Sequence, residues 1–67
     1  MPMSGEQMLR LYRKAGWVVL GTRGSHVKVG KDGLRETIPL HRELGRGLER
    51  KLLKRLRRTS ELGGVFH

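Results

Sequence analysis

The spacing of apolar and polar residues predicts a helix near the start of the chain. Apolar side chains recur there at helical intervals, at Met8, Leu11, Tyr12 and Ala15. Ser4-Gly5-Glu6-Gln7 has the Ser-x-x-Gln form of a capping box, which makes Ser4 a good N-cap. Gly16 follows as a C-terminal stop. The pattern therefore predicts a first helix over residues 5–15.

The middle of the chain predicts three strands, over residues 17–21, 25–31 and 34–39. Trp17 to Leu20 is short, aromatic and β-branched, which indicates a buried strand. Asp32-Gly33 is a strong hairpin signal, because both central residues of a type I′ turn need positive φ. Pro39 cannot donate a ladder hydrogen bond, so the third strand should be an edge strand that ends there.

A two-residue loop also fixes the register of this hairpin. The expected cross-strand pairs are Lys31 with Leu34, Val29 with Glu36, Lys28 with Thr37, Val27 with Ile38, and His26 with Pro39. One face is then apolar and needs covering by helices, while the other carries His26, Lys28 and Thr37 and is free to meet a ligand. Glu36 falls on the apolar face, and we expect it at the sheet margin, where its carboxylate can reach water or an arginine.

Leucines spaced by four predict a second helix over residues 46–58, with Leu44, Leu48, Leu52 and Leu56 as its stripe. Residues 59–67 are expected to form a tail. The order helix, three antiparallel strands, helix predicts an α+β fold in one domain of residues 1–67, with both helices on one face of the sheet. Double-stranded-RNA-binding domains share this α-β-β-β-α order, which taken alone is weak evidence of function.

The net charge of the chain indicates which class of partner it binds. The chain of 67 residues carries 15 Lys and Arg against 6 Asp and Glu, a formal net charge of +9. This excess favours a polyanion, with nucleic acid first and an acidic protein second, although a basic surface can also serve solubility alone. No apolar run is long enough to span a bilayer, and the N-terminus lacks a signal-peptide block. We therefore expect a soluble, cytoplasmic protein that does not engage a membrane.

Cofactors and metals are not expected. The chain has no cysteine, which excludes disulfides and thiolate metal sites. Its three histidines are scattered, without a recognised ligand spacing.

Several segments, in this order and spacing, carry a more specific similarity: Leu9 to Trp17, Arg23-Gly24-Ser25-His26, Asp32-Gly33, Thr37-Ile38-Pro39-Leu40-His41, and the leucine-patterned helix from Gly47. Together they resemble the HicA family of toxin–antitoxin mRNA interferases over roughly residues 4–58. The resemblance implies a double-stranded-RNA-binding-like fold, mRNA cleavage that arrests translation, and inhibition by a HicB antitoxin. It also implies that His26 is the functional histidine. Glu36 departs from the family pattern, in which a small apolar residue is more usual.

The chemistry of RNA cleavage agrees with that implication. Without a metal, an enzyme can use the 2′-hydroxyl as nucleophile, and histidine suits the proton transfers because its ordinary pKa lies near neutrality. Lys28, on the same face, and Arg23, in the preceding turn, suit the developing phosphate charge. Gly24 allows close backbone approach, and the N–H groups of Gly24 and Ser25 can hold a phosphate oxygen. The competing interpretation is that His26 is an ordinary surface histidine of a strand.

Two further features have alternative interpretations. His41 has the parity of Pro39, so a continued strand would place it on the His26 face; because Pro39 should end the strand, we expect His41 to cap or pack near the second helix. The basic residues of that helix suit a solvated face, RNA phosphates or an acidic antitoxin. Two hypotheses therefore stand: a ribonuclease toxin that acts through His26, and a non-catalytic RNA-binding module.

Overall fold

The computed structural model describes residues 2–65, with side chains described for residues 2–60. Its elements are, in chain order, α1 (Gly5–Lys14), β1 (Val18–Arg23), β2 (His26–Lys31), β3 (Leu34–Pro39) and α2 (Arg46–Val65). The α+β class and the order of elements predicted from the sequence are therefore confirmed. In the described part of the chain, no helix is both long and apolar enough to cross a membrane.

The capping signals around α1 work as the sequence predicts. The backbone N–H of Gln7 donates to Oγ of Ser4 at 3.1 Å, and the N–H of Ser4 donates to Oε1 of Gln7 at 2.9 Å. Each bond satisfies a group that the helix cannot satisfy itself. At the other end, Gly16 has φ of 98°, a left-handed conformation that suits glycine and stops the helix.

The sheet has the order β1-β2-β3 and is antiparallel throughout. The β2–β3 register agrees with the prediction at every pair, from His26 with Pro39 to Lys31 with Leu34. Asp32 and Gly33 have φ of 50° and 83°, as a type I′ turn requires. β3 is an edge strand and ends at Pro39, which confirms that prediction as well.

Both helices cover the apolar face of the sheet. The buried core consists of Met8, Tyr12, Trp17, Val27, Val29, Ile38, Leu44 and Leu52. On the same face, Glu36 accepts a hydrogen bond of 3.1 Å from Nε of Arg55, so its carboxylate does reach an arginine at the margin. The opposite face of the sheet, which carries His26, Lys28 and Thr37, is exposed.

β1 differs from its prediction as a buried strand over residues 17–21. Val18, Val19 and Leu20 are 59%, 44% and 50% exposed, and the strand extends to Arg23. β1 lies at the second edge of the sheet, and its register shifts between Val19 and Gly21. Only Trp17, which precedes the strand, enters the core. The apolar residues therefore predicted the presence of the strand correctly, but the prediction that the strand is buried was wrong.

α2 is longer than predicted. It was expected to end at Arg58, yet the helix continues to Val65, so a tail from Thr59 is wrong for residues 59–65. The hydroxyl of Thr59 donates to the carbonyl oxygens of Arg55 and Leu56, at 3.0 Å each. Thr59 therefore hydrogen-bonds to the preceding turn of the same helix. Residues 66 and 67, also assigned to that tail, lie outside the described residues.

Candidate active site

The turn between β1 and β2 places Arg23 directly opposite His26. Gly24 and Ser25 form its two-residue loop, and Gly24 has φ of 58°. A glycine with positive φ at the first central position is typical of a type II′ hairpin turn. Arg23 was expected in the turn itself; it lies instead in the last position of β1, because the loop is only two residues long.

The sequence-predicted site residues come together around this turn. His26, Arg23 and Lys28 line one shallow depression on the open face of the sheet. The rest of its lining is Leu20, Gly21, Thr22 and Thr37. Gly24 and Ser25 form the adjacent tip, where a Cβ added to Gly24 would meet no atom within 4 Å. Open space at the tip leaves room for a ligand to approach the backbone.

The electrostatic character of the depression is cationic. Arg23 and Lys28 contribute its two charged side chains, and no carboxylate lines it among the described residues. Both of these basic side chains are exposed. A phosphate that binds here therefore lies within reach of two cations and an imidazole, which is the combination that phosphoryl chemistry uses.

His41 lies closer to this site than the sequence suggested. Its ring centroid is 6.0 Å from that of His26, with the planes at 76°. Its carbonyl oxygen accepts a 2.9 Å hydrogen bond from the N–H of Gly5, at the start of α1. The sequence analysis placed His41 near the start of α2, whereas the contacts that the structure shows are between its ring and His26 and between its carbonyl group and α1. The signal that pointed to its true place was its shared parity with Pro39.

A metal-binding cluster is not found in the described part of the chain. No group of three or more His, Asp or Glu side chains among those residues is arranged to hold a metal ion. The side chains that line the depression include one imidazole and two basic groups.

Comparison with known proteins identifies one family. Residues 5–57 match the family model of the HicA toxin of bacterial toxin–antitoxin systems. The matched range includes all five elements up to the middle of α2, and with them the depression and both histidines. Neither the curated proteins nor the solved structures gave a match.

Proposed function

Because the chain belongs to the HicA toxin family of bacterial toxin–antitoxin systems, we propose that it is a metal-independent endoribonuclease that cleaves mRNA and arrests translation. His26 is the catalytic residue and acts as a general acid and base. Arg23, Gly24, Ser25 and Lys28 bind the substrate. As a member of a toxin–antitoxin family, the protein has an antitoxin partner, which we propose is of the HicB type.

The observation that best supports this proposal is the environment of the His26 side chain. The imidazole is exposed on the sheet face that the helices leave open, with Arg23 opposite it and Lys28 two residues along the strand. A histidine there is free to reach a polynucleotide without any rearrangement of the core. The two cations beside it supply the attraction for a phosphate.

The proposed reaction uses the 2′-hydroxyl of RNA as its nucleophile. Its oxygen attacks the adjacent phosphorus while its proton passes to an imidazole, and the P–O5′ bond breaks as the leaving oxygen gains a proton. The products are a 2′,3′-cyclic phosphate and a 5′-hydroxyl. Lys28 and Arg23 stabilise the negative charge that develops on the phosphorane oxygens. The N–H groups of Gly24 and Ser25 hold a phosphate oxygen at the turn.

Single-stranded RNA in excess EDTA provides the test. The wild-type protein should cleave it, and the fragments should carry 2′,3′-cyclic phosphate and 5′-hydroxyl ends. An otherwise identical DNA strand should remain intact, because it lacks the nucleophile. RNA that is bound but stays whole would contradict the proposal and favour a non-catalytic RNA-binding module. Cleavage that EDTA abolishes would contradict the metal-independent mechanism.

The cellular setting follows from the proposed substrate. Messenger RNA is translated in the cytoplasm, which is where the toxin would act. The antitoxin must block either the depression or the approach of RNA to it. An acidic partner surface would suit both the depression and the many basic side chains of α2.

A further inference from the structure

A second histidine stands next to the proposed catalytic one. The rings of His26 and His41 lie 6.0 Å apart between centroids, and both residues are exposed. They come from different parts of the fold, since His26 begins β2 and His41 follows the end of β3. Their proximity is therefore a product of the tertiary structure.

Backbone hydrogen bonds hold the segment that carries His41. The N–H of Leu40 donates to the carbonyl oxygen of Ser25 at 2.6 Å, which continues the pairing with β2 past Pro39. The N–H of Gly5 donates to the carbonyl oxygen of His41 at 2.9 Å. The segment is thus fixed on one side by the turn that contains the site and on the other by the start of α1.

The spacing of the two rings suits a shared substrate. With the ring centroids 6.0 Å apart, one phosphate group can lie within hydrogen-bond reach of both imidazoles. Cleavage through the 2′-hydroxyl needs one proton removed and one delivered on opposite sides of the same phosphorus. Two imidazoles about one phosphate apart meet that requirement, provided that one is neutral and the other protonated.

We propose that His41 is a second catalytic residue, and that His26 and His41 divide the two proton transfers between them. This inference rests on the proposed ribonuclease function. One imidazole accepts the proton of the 2′-hydroxyl as the 2′-O–P bond forms. The other donates its proton to the 5′-oxygen as the P–O5′ bond breaks. After the products leave, exchange with water restores the two protonation states.

The alternative is that the two rings only pack against each other. Edge-to-face aromatic pairs stabilise a fold, so a packing role predicts a lower melting temperature when His41 is replaced. It predicts no dependence of the rate on the leaving group. The two roles are therefore separable by the chemistry of the substrate.

The test uses two versions of a short RNA that the wild-type protein cleaves at one mapped linkage. In the second version, sulfur replaces the bridging 5′-oxygen of that linkage, and a thiolate leaves without needing a proton. His26→Ala and His41→Ala should each lose about 10²–10⁴ in rate on ordinary RNA. On the sulfur substrate one of the two variants should regain nearly the wild-type rate, and the other should remain slow. The rescued position is the general acid.

Glu43→Ala is the matched control, because Glu43 is exposed in the same segment and its carboxyl group does not attract a phosphate. The Glu43→Ala variant should cleave both substrates at the wild-type rate. Three results would overturn the inference: a wild-type rate for His41→Ala, rescue of neither variant, or a loss of melting temperature or RNA affinity that accounts for the lower rate of His41→Ala. Each leaves the ribonuclease function standing. A wild-type protein that cleaves neither substrate would instead refute the ribonuclease function itself.

Discussion

At the scale of single residues, Tyr12 is the core side chain with the most specific chemistry. It is fully buried, and its hydroxyl donates a 2.7 Å hydrogen bond to the carbonyl oxygen of Leu52. Burial, aided by the carboxylate of Glu36 and opposed by the guanidinium of Arg55, raises the pKa of Tyr12 to about 12. The folded protein therefore favours the protonated hydroxyl, which links α1 to α2.

Replacing Tyr12 by Phe keeps the ring and removes this hydrogen bond. At neutral pH we expect the free energy of unfolding to fall by about 1 kcal/mol. Above about pH 10 the unfolded wild-type chain releases the phenol proton while the folded protein retains it, so wild-type stability should fall toward pH 12. The variant lacks this contribution, and the difference between the two proteins should shrink over that range. Urea unfolding at several pH values measures the difference; a constant difference would contradict the assigned pKa.

For the two histidines of the site, the sequence predicted the position of one and not that of the other. The exposure of His26 followed from parity, because a two-residue loop fixes which residues of a hairpin share a face. The place of His41 did not follow, since it depends on backbone hydrogen bonds to Ser25 and Gly5, which lie far away in sequence. The parity that His41 shares with Pro39 pointed to the His26 face, but the local pattern contains no information on these distant contacts.

At the scale of elements, the start of α1 is packed tightly against the end of β3. A Cβ on Gly5 would collide with the carbonyl oxygen of Pro39 and would lie 2.6 Å from Cα of Leu40. Both neighbours are backbone atoms, which cannot move aside as a flexible side chain does. The absence of a side chain at Gly5 therefore permits the contact that also positions His41.

Gly5→Ala should destabilise the protein, although alanine is the better helix former. We expect a loss of about 1–3 kcal/mol from the enforced shift of backbone against backbone. Gly47→Ala is the matched control, because Gly47 also lies in the first turn of a helix and its Cβ would meet nothing within 4 Å. That change should be neutral or stabilise by up to about 1 kcal/mol. Thermal melts compare the two, and a Gly5→Ala protein as stable as Gly47→Ala would disprove the close docking of α1.

For some of the helices and strands, the sequence pattern was not sufficient to predict burial or length. The hairpin of β2 and β3 was predicted correctly because Asp32-Gly33 and alternating residues act locally. β1 was predicted to be buried because Val18, Val19 and Leu20 are apolar, yet its place at a sheet edge depends on which strands the helices cover. The end of α2 was missed because Gly63 and Gly64, which belong to the predicted tail, lie within the helix and do not stop it.

At the scale of the whole molecule, two basic surfaces point in opposite directions. One is the open face of the sheet, with Lys28. The other is the outer side of α2, where Arg50 and Lys54 are exposed two residues before and after the buried Leu52. Two residues are about 200° of helical rotation, so these side chains face away from the sheet. An RNA strand bound at His26 should therefore contact Lys28 and leave the outer side of α2 free.

The salt dependence of RNA binding tests this division. With single-stranded RNA made uncleavable by 2′-O-methyl groups, the logarithm of affinity should fall linearly with the logarithm of salt concentration. Lys28→Glu should reduce that slope by about 0.7 or more, through loss of one phosphate contact. The double variant Arg50→Glu, Lys54→Glu should leave the slope unchanged. A flatter slope for the double variant would show that RNA also contacts α2.

If His26 carries out the proton transfer proposed above, replacing it by alanine should slow the cleavage of RNA. The side chain is exposed and fills no core space, so the variant should keep its melting temperature and RNA affinity. Asp32→Asn, at the other end of the same hairpin, is the control for an exposed substitution and should cleave at the wild-type rate. We predict that well-folded His26→Ala cleaves RNA about 10²–10⁴ times more slowly than the wild type. Cleavage by that variant at the wild-type rate would refute the catalytic role of His26 and move the active site elsewhere.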